Sequence, residues 1–120
     1  MSVKKFEDLR IWQESRELTK IIYKLTAKSL FKKDYGLKDQ IQRATVSIMN
    51  NIAEGFERDN NKEFIKFLTY SKGSCGEVRS LLYVASDLTY IEQSEFDENY
   101  AKTVSIISQT SKFITYLKSC

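Results

Sequence analysis

Gln40, Arg43, Ser47, Asn51 and Glu54 recur at three- and four-residue steps, so on one helix they form a single row. The row carries two amides, a hydroxyl, a guanidinium and a carboxylate. Glu77, on the following predicted helix, adds a second carboxylate. Such groups survive burial only when they are paired and hydrogen-bonded. Two readings stand open. In one, these residues form a structural polar network that fixes helix register, with Arg43 meeting Glu54 and Glu77. In the other, they line a polar site at a subunit junction. Two carboxylates alone do not make an acid–base pair, which also requires a pocket and displaced pKa values.

A second pattern could meet phosphate. Arg10, Arg16, Lys20, Lys24 and Lys28 lie along the outer face of the first predicted helix, and Lys32 and Lys33 follow in the next connection. Arg16 to Lys28 repeat every fourth residue and would form a cationic ridge, with Trp12 and Tyr23 beside it. Like charges at that spacing cost a few tenths of a kcal/mol per pair, and Glu14 and Glu17 relieve only part of this. The ridge reads either as a solvated lysine-rich face or as a surface for nucleic acid, whose phosphates give sequence-independent, salt-sensitive affinity. Residues 1–38 hold ten Lys and Arg against five Asp and Glu, and the remainder nine against eleven. The basic character therefore belongs to the N-terminal third, although the net charge is only +3.

Composition excludes several chemistries. Histidine is absent, which removes the commonest general base and metal ligand and any Ser–His or Cys–His nucleophile. The two cysteines, Cys75 and Cys120, lack metal-ligand spacing and are no disulfide framework; Cys75 reads as a small buried hydrophobe. No Asp-rich metal loop and no glycine-rich phosphate loop is present. No cofactor is expected. No segment reaches the ~20 apolar residues of a membrane span. Charges interrupt the N-terminal MSVKKFEDLRIW too early for a signal-peptide core, so a cytoplasmic protein is expected.

These side chains need helices to position them. Proline is absent and there are four glycines, so the chain lacks the usual helix breakers. The pattern predicts an all-α single domain over residues 1–120, an up-down-up-down antiparallel four-helix bundle. The first helix is expected from about Asp8, as N-cap, to Lys28, with Ile11, Ser15, Leu18, Ile22 and Leu25 inward. Tyr35-Gly36 is expected to make a tight left-handed turn. The second helix, Leu37–Gly55, buries Leu37, Ile41, Ala44, Ile48, Ile52 and Gly55, with Gly55 as its stop. The third runs from about Lys62 to Leu88, capped by Asp59, Asn60 or Asn61. Its inward stripe is Phe64, Phe67, Leu68, Ser71, Cys75, Val78, Leu82 and Ala85. Gly73 and Gly76 interrupt it, each at about 1 kcal/mol of propensity, which predicts either a close backbone neighbour or a kink. The last helix opens at Ser94 and Glu95 and turns Phe96, Tyr100, Thr103, Ile107, Ser111 and Ile114 inward.

A second apolar strip on the second helix, Val46, Met49 and Ala53, lies nearly opposite its core face. Ile106 and Phe113 (with Leu117) widen the last helix in the same way. A helix apolar on two sides needs two neighbours. Val46, Met49, Ala53, Ile106 and Phe113 are accordingly the candidate oligomer interface.

The residues Tyr35-Gly36-Leu37, Gln40-Ile41, Arg43-Ala44, Ser47-Ile48 and Asn51-Ile52-Ala53-Glu54-Gly55 resemble the signature of the four helix bundle protein family. That family is also named for proteins encoded in intervening sequences of 23S ribosomal RNA genes and is labelled the S23 ribosomal protein family. Gly73-Ser74 with Glu77 resembles its second signature, and Phe6, Leu9 and Trp12 its opening. Many relatives carry proline after the Ser-Ile pair where this chain has Met49, so its second helix should be straighter there. The resemblance implies a homopentamer without enzymatic activity, similar to the accessory protein of diversity-generating retroelements, which binds nucleic acid and a reverse transcriptase. The expected role is a nucleic-acid-binding accessory using the basic face, RNA or DNA. The alternative is a protein-interaction scaffold that touches no nucleic acid.

Overall fold

A computed structural model describes residues 2–120. A single 3-10 turn, Phe6–Asp8, leads into α1 (Arg10–Leu25). A five-residue helix, α2 (Ser29–Lys33), connects it to α3 (Tyr35–Glu57). The long helices α4 (Asn61–Asp87) and α5 (Gln93–Lys118) complete the chain. Short connections make each long helix antiparallel to the next, and α3 packs between α1 and α4 while α5 closes the ring against α4 and α1. The result is a rod of 47 × 21 × 20 Å, set by the lengths of α4 and α5.

The core faces expected for the first three long helices are all buried. Their small polar members bond to backbone carbonyls: Ser15 to Ile11 O at 2.6 Å, Thr45 to Ile41 O at 2.6 Å and Ser71, across the helix interface, to Ile48 O at 2.8 Å. Such bonds remove the cost of an unpaired buried hydroxyl. Cys75 is buried, its Sγ 3.4 Å from Thr103 O, and burial pushes its thiol up to about 12. It is an inert packing residue at neutral pH.

The last helix departs from expectation. Its buried face is Asn99, Thr103, Ile106, Thr110, Ile114 and Leu117, and only Thr103 and Ile114 coincide with the periodicity read from the sequence. Phe96 and Tyr100 lie instead in the α4–α5 crevice against Tyr83, with ring centroids 4.9 and 6.0 Å away. Small polar residues can turn inward because their backbone partners are at hand: Thr110 Oγ1 bonds to Ile106 O at 2.7 Å and Asn99 Nδ2 to Glu95 O at 2.8 Å. Asn99 Oδ1 is buried without a partner among the described residues.

Helix boundaries also differ. The N-cap of α1 is Leu9, because Asp8 belongs to the preceding 3-10 turn, and α1 stops at Leu25. Gly36 is helical: Asp34 caps α3 by accepting from Leu37 N at 3.1 Å, so no left-handed turn forms there. Gly55 does not end α3 and lies buried two residues before its last turn closes. A Cβ there would stand 2.7 Å from Phe67 Cβ and 3.0 Å from Phe64 Cδ1. The left-handed residues after α3 and α4 are Asp59 and Thr89, at φ 53° and 58°. Asn60 caps α4, accepting from Glu63 N, and a Glu92–Glu95 capping box opens α5.

Both explanations for the α4 glycines fail within the chain. The helix runs unbroken from Asn61 to Asp87, and a Cβ at Gly73 or Gly76 would meet nothing within 4 Å. α3 is likewise continuous through Met49.

Candidate functional site

The polar row of α3 lies along its seam with α4. Ser47 and Ser74 hydroxyls are 2.9 Å apart, Asn51 Nδ2 donates to Ser47 Oγ at 2.9 Å, and Gln40 Nε2 reaches Glu77 at 3.5 Å. The charged members do not join it. Arg43 pairs with Asp39 at 2.8 Å and Glu54 with Arg58 at 3.1 Å, each one turn away on α3 or at its end. Solvent faces both, and an exposed residue one turn along is a nearer partner than another helix. The expected Arg43–Glu54–Glu77 ion-pair network is therefore absent, and a short hydroxyl–amide ladder holds the seam.

The same row borders an open groove of 540 Å³ between Tyr23 of α1 and α3, where Arg43, Ser47, Asn51 and Glu54 are joined by Val46 and Asn50. Val46 and Ala53 are half-buried. Met49 turns toward α1, where Thr19 Oγ1 is 3.6 Å from its sulfur. The neighbour this strip needed is thus partly α1 of the same chain. Ile106 is 1% exposed and belongs to the bundle's own core, so it cannot form an interface between chains. Phe113 is half-buried and packs edge-on against Phe64 at 5.4 Å.

The cationic ridge is broken up. Arg10 pairs with Glu14 at 3.0 Å and Lys20 with Glu17 at 3.7 Å, and the Arg16 guanidinium sits 5.7 Å from the centroid of the Trp12 ring. Lys28 lies beyond the end of α1, where Nζ donates to both Glu95 oxygens at 2.7 and 3.0 Å. Lys24, Lys32 and Lys33 are exposed and form no ion pair among the described residues. The chain's path brings these three to one end of the bundle, where α1 finishes, α2 lies and α3 begins. Lys38 and Tyr35, in the first turn of α3, share that end; the sequence marks Tyr35 only as part of a turn and of the family signature, and Lys38 not at all. Their i, i+3 spacing at the start of a helix was the available signal.

The Lys28–Glu95 pair ties α1 to the start of α5. Glu95 is held below the usual carboxylate range, first by the hydrogen bond from the Glu92 backbone and then by the one from Lys28. Lys28 is raised, chiefly by its hydrogen bond to Glu95. A depressed carboxylate stabilises the fold above its unfolded pKa of about 4.3 and loses that contribution as pH falls through its lower folded value. A raised lysine contributes below about 10.4 and loses it as pH climbs further. Stability from the pair is thus greatest between those limits. Glu95→Gln keeps an oxygen for the cap but removes the charge. Its melting temperature is expected to fall less than that of the unmodified protein between pH 5 and pH 3, measured by circular dichroism; identical pH profiles would show that the pair contributes nothing.

Among the described residues no cluster of three His, Cys, Asp or Glu could hold a metal, and no helix is long and apolar enough to cross a membrane.

Four antiparallel helices with a hydroxyl–amide seam and one lysine-rich end define a small helical-bundle protein. Residues 7–112 match the model of the 23S rRNA-intervening sequence protein family, and the chain belongs to that family. A crystal structure of a protein with unknown function from the S23 ribosomal protein family of Bacteroides thetaiotaomicron VPI-5482 has a similar fold. Its TM-score is 0.79 at 21% identity, over 87% of this chain and 97% of that one. At that identity the likeness speaks for the fold alone. No curated protein sequence matches significantly.

Proposed function

We propose that this protein is a non-enzymatic, cytoplasmic accessory that binds nucleic acid through its lysine-rich end and does so as an assembly of identical subunits. The observation that carries this is the group Lys24, Lys32 and Lys33, exposed without carboxylate partners at the meeting point of α1, α2 and α3. One subunit offers few phosphate contacts, and a ring would multiply them into avidity of orders of magnitude. The pentamer implied by the family resemblance supplies such a ring.

Closed rings use two different patches per subunit. Two different patches are at hand: the α1–α3 groove with Val46, and the open α4 face at Gly73 and Gly76. A neighbour packed close to those glycines would offset the helix propensity they forgo.

Changing Lys24, Lys32 and Lys33 together to Glu tests the binding. The unmodified protein should bind a structured RNA at low salt, with affinity falling linearly on a log–log salt plot. The variant should bind far more weakly, with a slope smaller by about 3 for each subunit engaged. Negligible binding by the unmodified protein would remove the proposal. The exposed side chains Tyr83, Val84, Leu88 and Val104 along α4 and α5 favour the second reading, a scaffold for another protein. A single protein partner retained after nuclease treatment, with no RNA bound, would decide for that one.

A further inference from the structure

We propose that the lysine-rich end binds unpaired nucleotides, with Tyr35 stacking on a base while Lys24, Lys32, Lys33 and Lys38 take the flanking phosphates. This rests on the nucleic-acid function proposed above and specifies its ligand as a single strand.

Tyr35 is the most exposed aromatic side chain of the described residues, at 74%. It opens α3 and packs into no aromatic cluster, unlike Tyr83, Phe96 and Tyr100, whose rings cover one another. The backbone that carries it is nonetheless fixed. Asp34 Oδ1 accepts from Leu37 N and so sets the first turn, while Asp34 Oδ2 accepts from the Tyr90 hydroxyl at 3.0 Å. Tyr90 in turn packs on the buried Phe31 of α2 at 5.3 Å. Lys38 Nζ lies over one face of the Tyr35 ring, 5.3 Å from its centroid, which leaves the other face for a base and a cation close to its phosphate.

The charge around it suits a polyanion. Lys24, Lys32, Lys33 and Lys38 have no ion-pair partner among the described residues, whereas the nearby carboxylates are committed: Asp34 to its cap and Tyr90, Asp39 to Arg43, Glu95 to Lys28. Asp87 and Glu92 lie across the end, at the α4–α5 junction. Every base has a π-face, so a lone tyrosine among lysines gives affinity for unpaired strands with little sequence preference. A duplex hides those faces and would meet only the lysines.

Fluorescence anisotropy with labelled oligouridylate of about 12 nucleotides, its abasic counterpart and a duplex of equal length tests this. Tyr35→Leu should weaken oligouridylate binding by about tenfold, leave the abasic polymer and duplex unchanged, and keep the unmodified melting temperature; Tyr35→Phe should restore it. An equal loss on oligothymidylate would support stacking that ignores the 2′-hydroxyl. If Tyr35→Leu binds oligouridylate normally while Lys24→Glu with Lys32→Glu and Lys33→Glu does not, the stacking site is wrong and the nucleic-acid function stands. If the unmodified protein binds none of the polymers, both fall. Leu30 is exposed beside the lysines; capture on phosphatidylserine vesicles but not on RNA, lost in Tyr35→Leu, would overturn the assignment in favour of a lipid surface.

Discussion

Alanine at Gly55 should destabilise the bundle by about 1–3 kcal/mol, although alanine is the better helix former. The added methyl would stand 2.7 Å from Phe67 Cβ and 3.0 Å from Phe64 Cδ1, with Phe64 O at 3.4 Å. Phe67 Cβ is fixed to the α4 backbone and cannot swing aside, so α3 and α4 must separate. That separation would also stretch the Ser47–Ser74 contact and the Ser71 bond to Ile48 O on the same seam. The propensity gain of about 1 kcal/mol offsets only part of the cost. A melting temperature lower by roughly 5–10 °C is expected. Gly36→Ala is the control, because the nearest atom to its Cβ position is Asp34 Oδ1 at an ordinary 3.8 Å; its melting temperature should hold or rise. Equal effects at the two glycines would mean that α3 and α4 approach less closely than a 2.7 Å contact at Gly55 requires.

Ile106→Lys should be harsher, removing about 5 kcal/mol or more and leaving little cooperative transition in urea. Ile106 is 1% exposed, and its neighbours on the inward face of α5 are Asn99, Thr103, Thr110 and Ile114. None is a carboxylate, so the ammonium would be buried without a counter-charge. The same change at a surface between subunits would instead yield a folded, smaller species. A cooperative urea transition at the unmodified midpoint, together with a reduced mass by light scattering, would return Ile106 to the outside of the bundle.

The two variants fall where sequence and structure diverge. Gly55 reads as a helix stop because glycine after a periodic run commonly ends a helix. Its true role is steric, and no pattern within α3 reports which residues of α4 press against it. Ile106 reads as outward because Phe96, Tyr100, Ile107 and Ile114 make a more apolar stripe than the one actually buried. The choice was made by α4: Tyr83 offers an aromatic crevice that takes Phe96 and Tyr100, which rotates Asn99 and Thr110 inward to backbone carbonyls.

Charge partners diverge for a related reason. Seven cations spaced along the N-terminal third look like one ridge, yet a side chain three or four residues away or across a helix end answers four of them. Lys28 illustrates this. Its spacing continues the ridge, but α1 ends at Leu25 and Lys28 reaches Glu95, a partner 67 residues distant in the chain.

By itself the sequence determined what local chemistry determines: four amphipathic helices, since proline is absent and the periodicity is sustained, and the inward faces of the first three, since each carries one long apolar stripe at helical spacing. Its spaced motifs also pointed to the family. Tertiary structure alone decided which face of α5 is buried, which glycine is crowded, which cations are free and which tyrosine stands in solvent. Each of those depends on groups far apart in the chain, and periodicity along one helix carries no information about what packs against it.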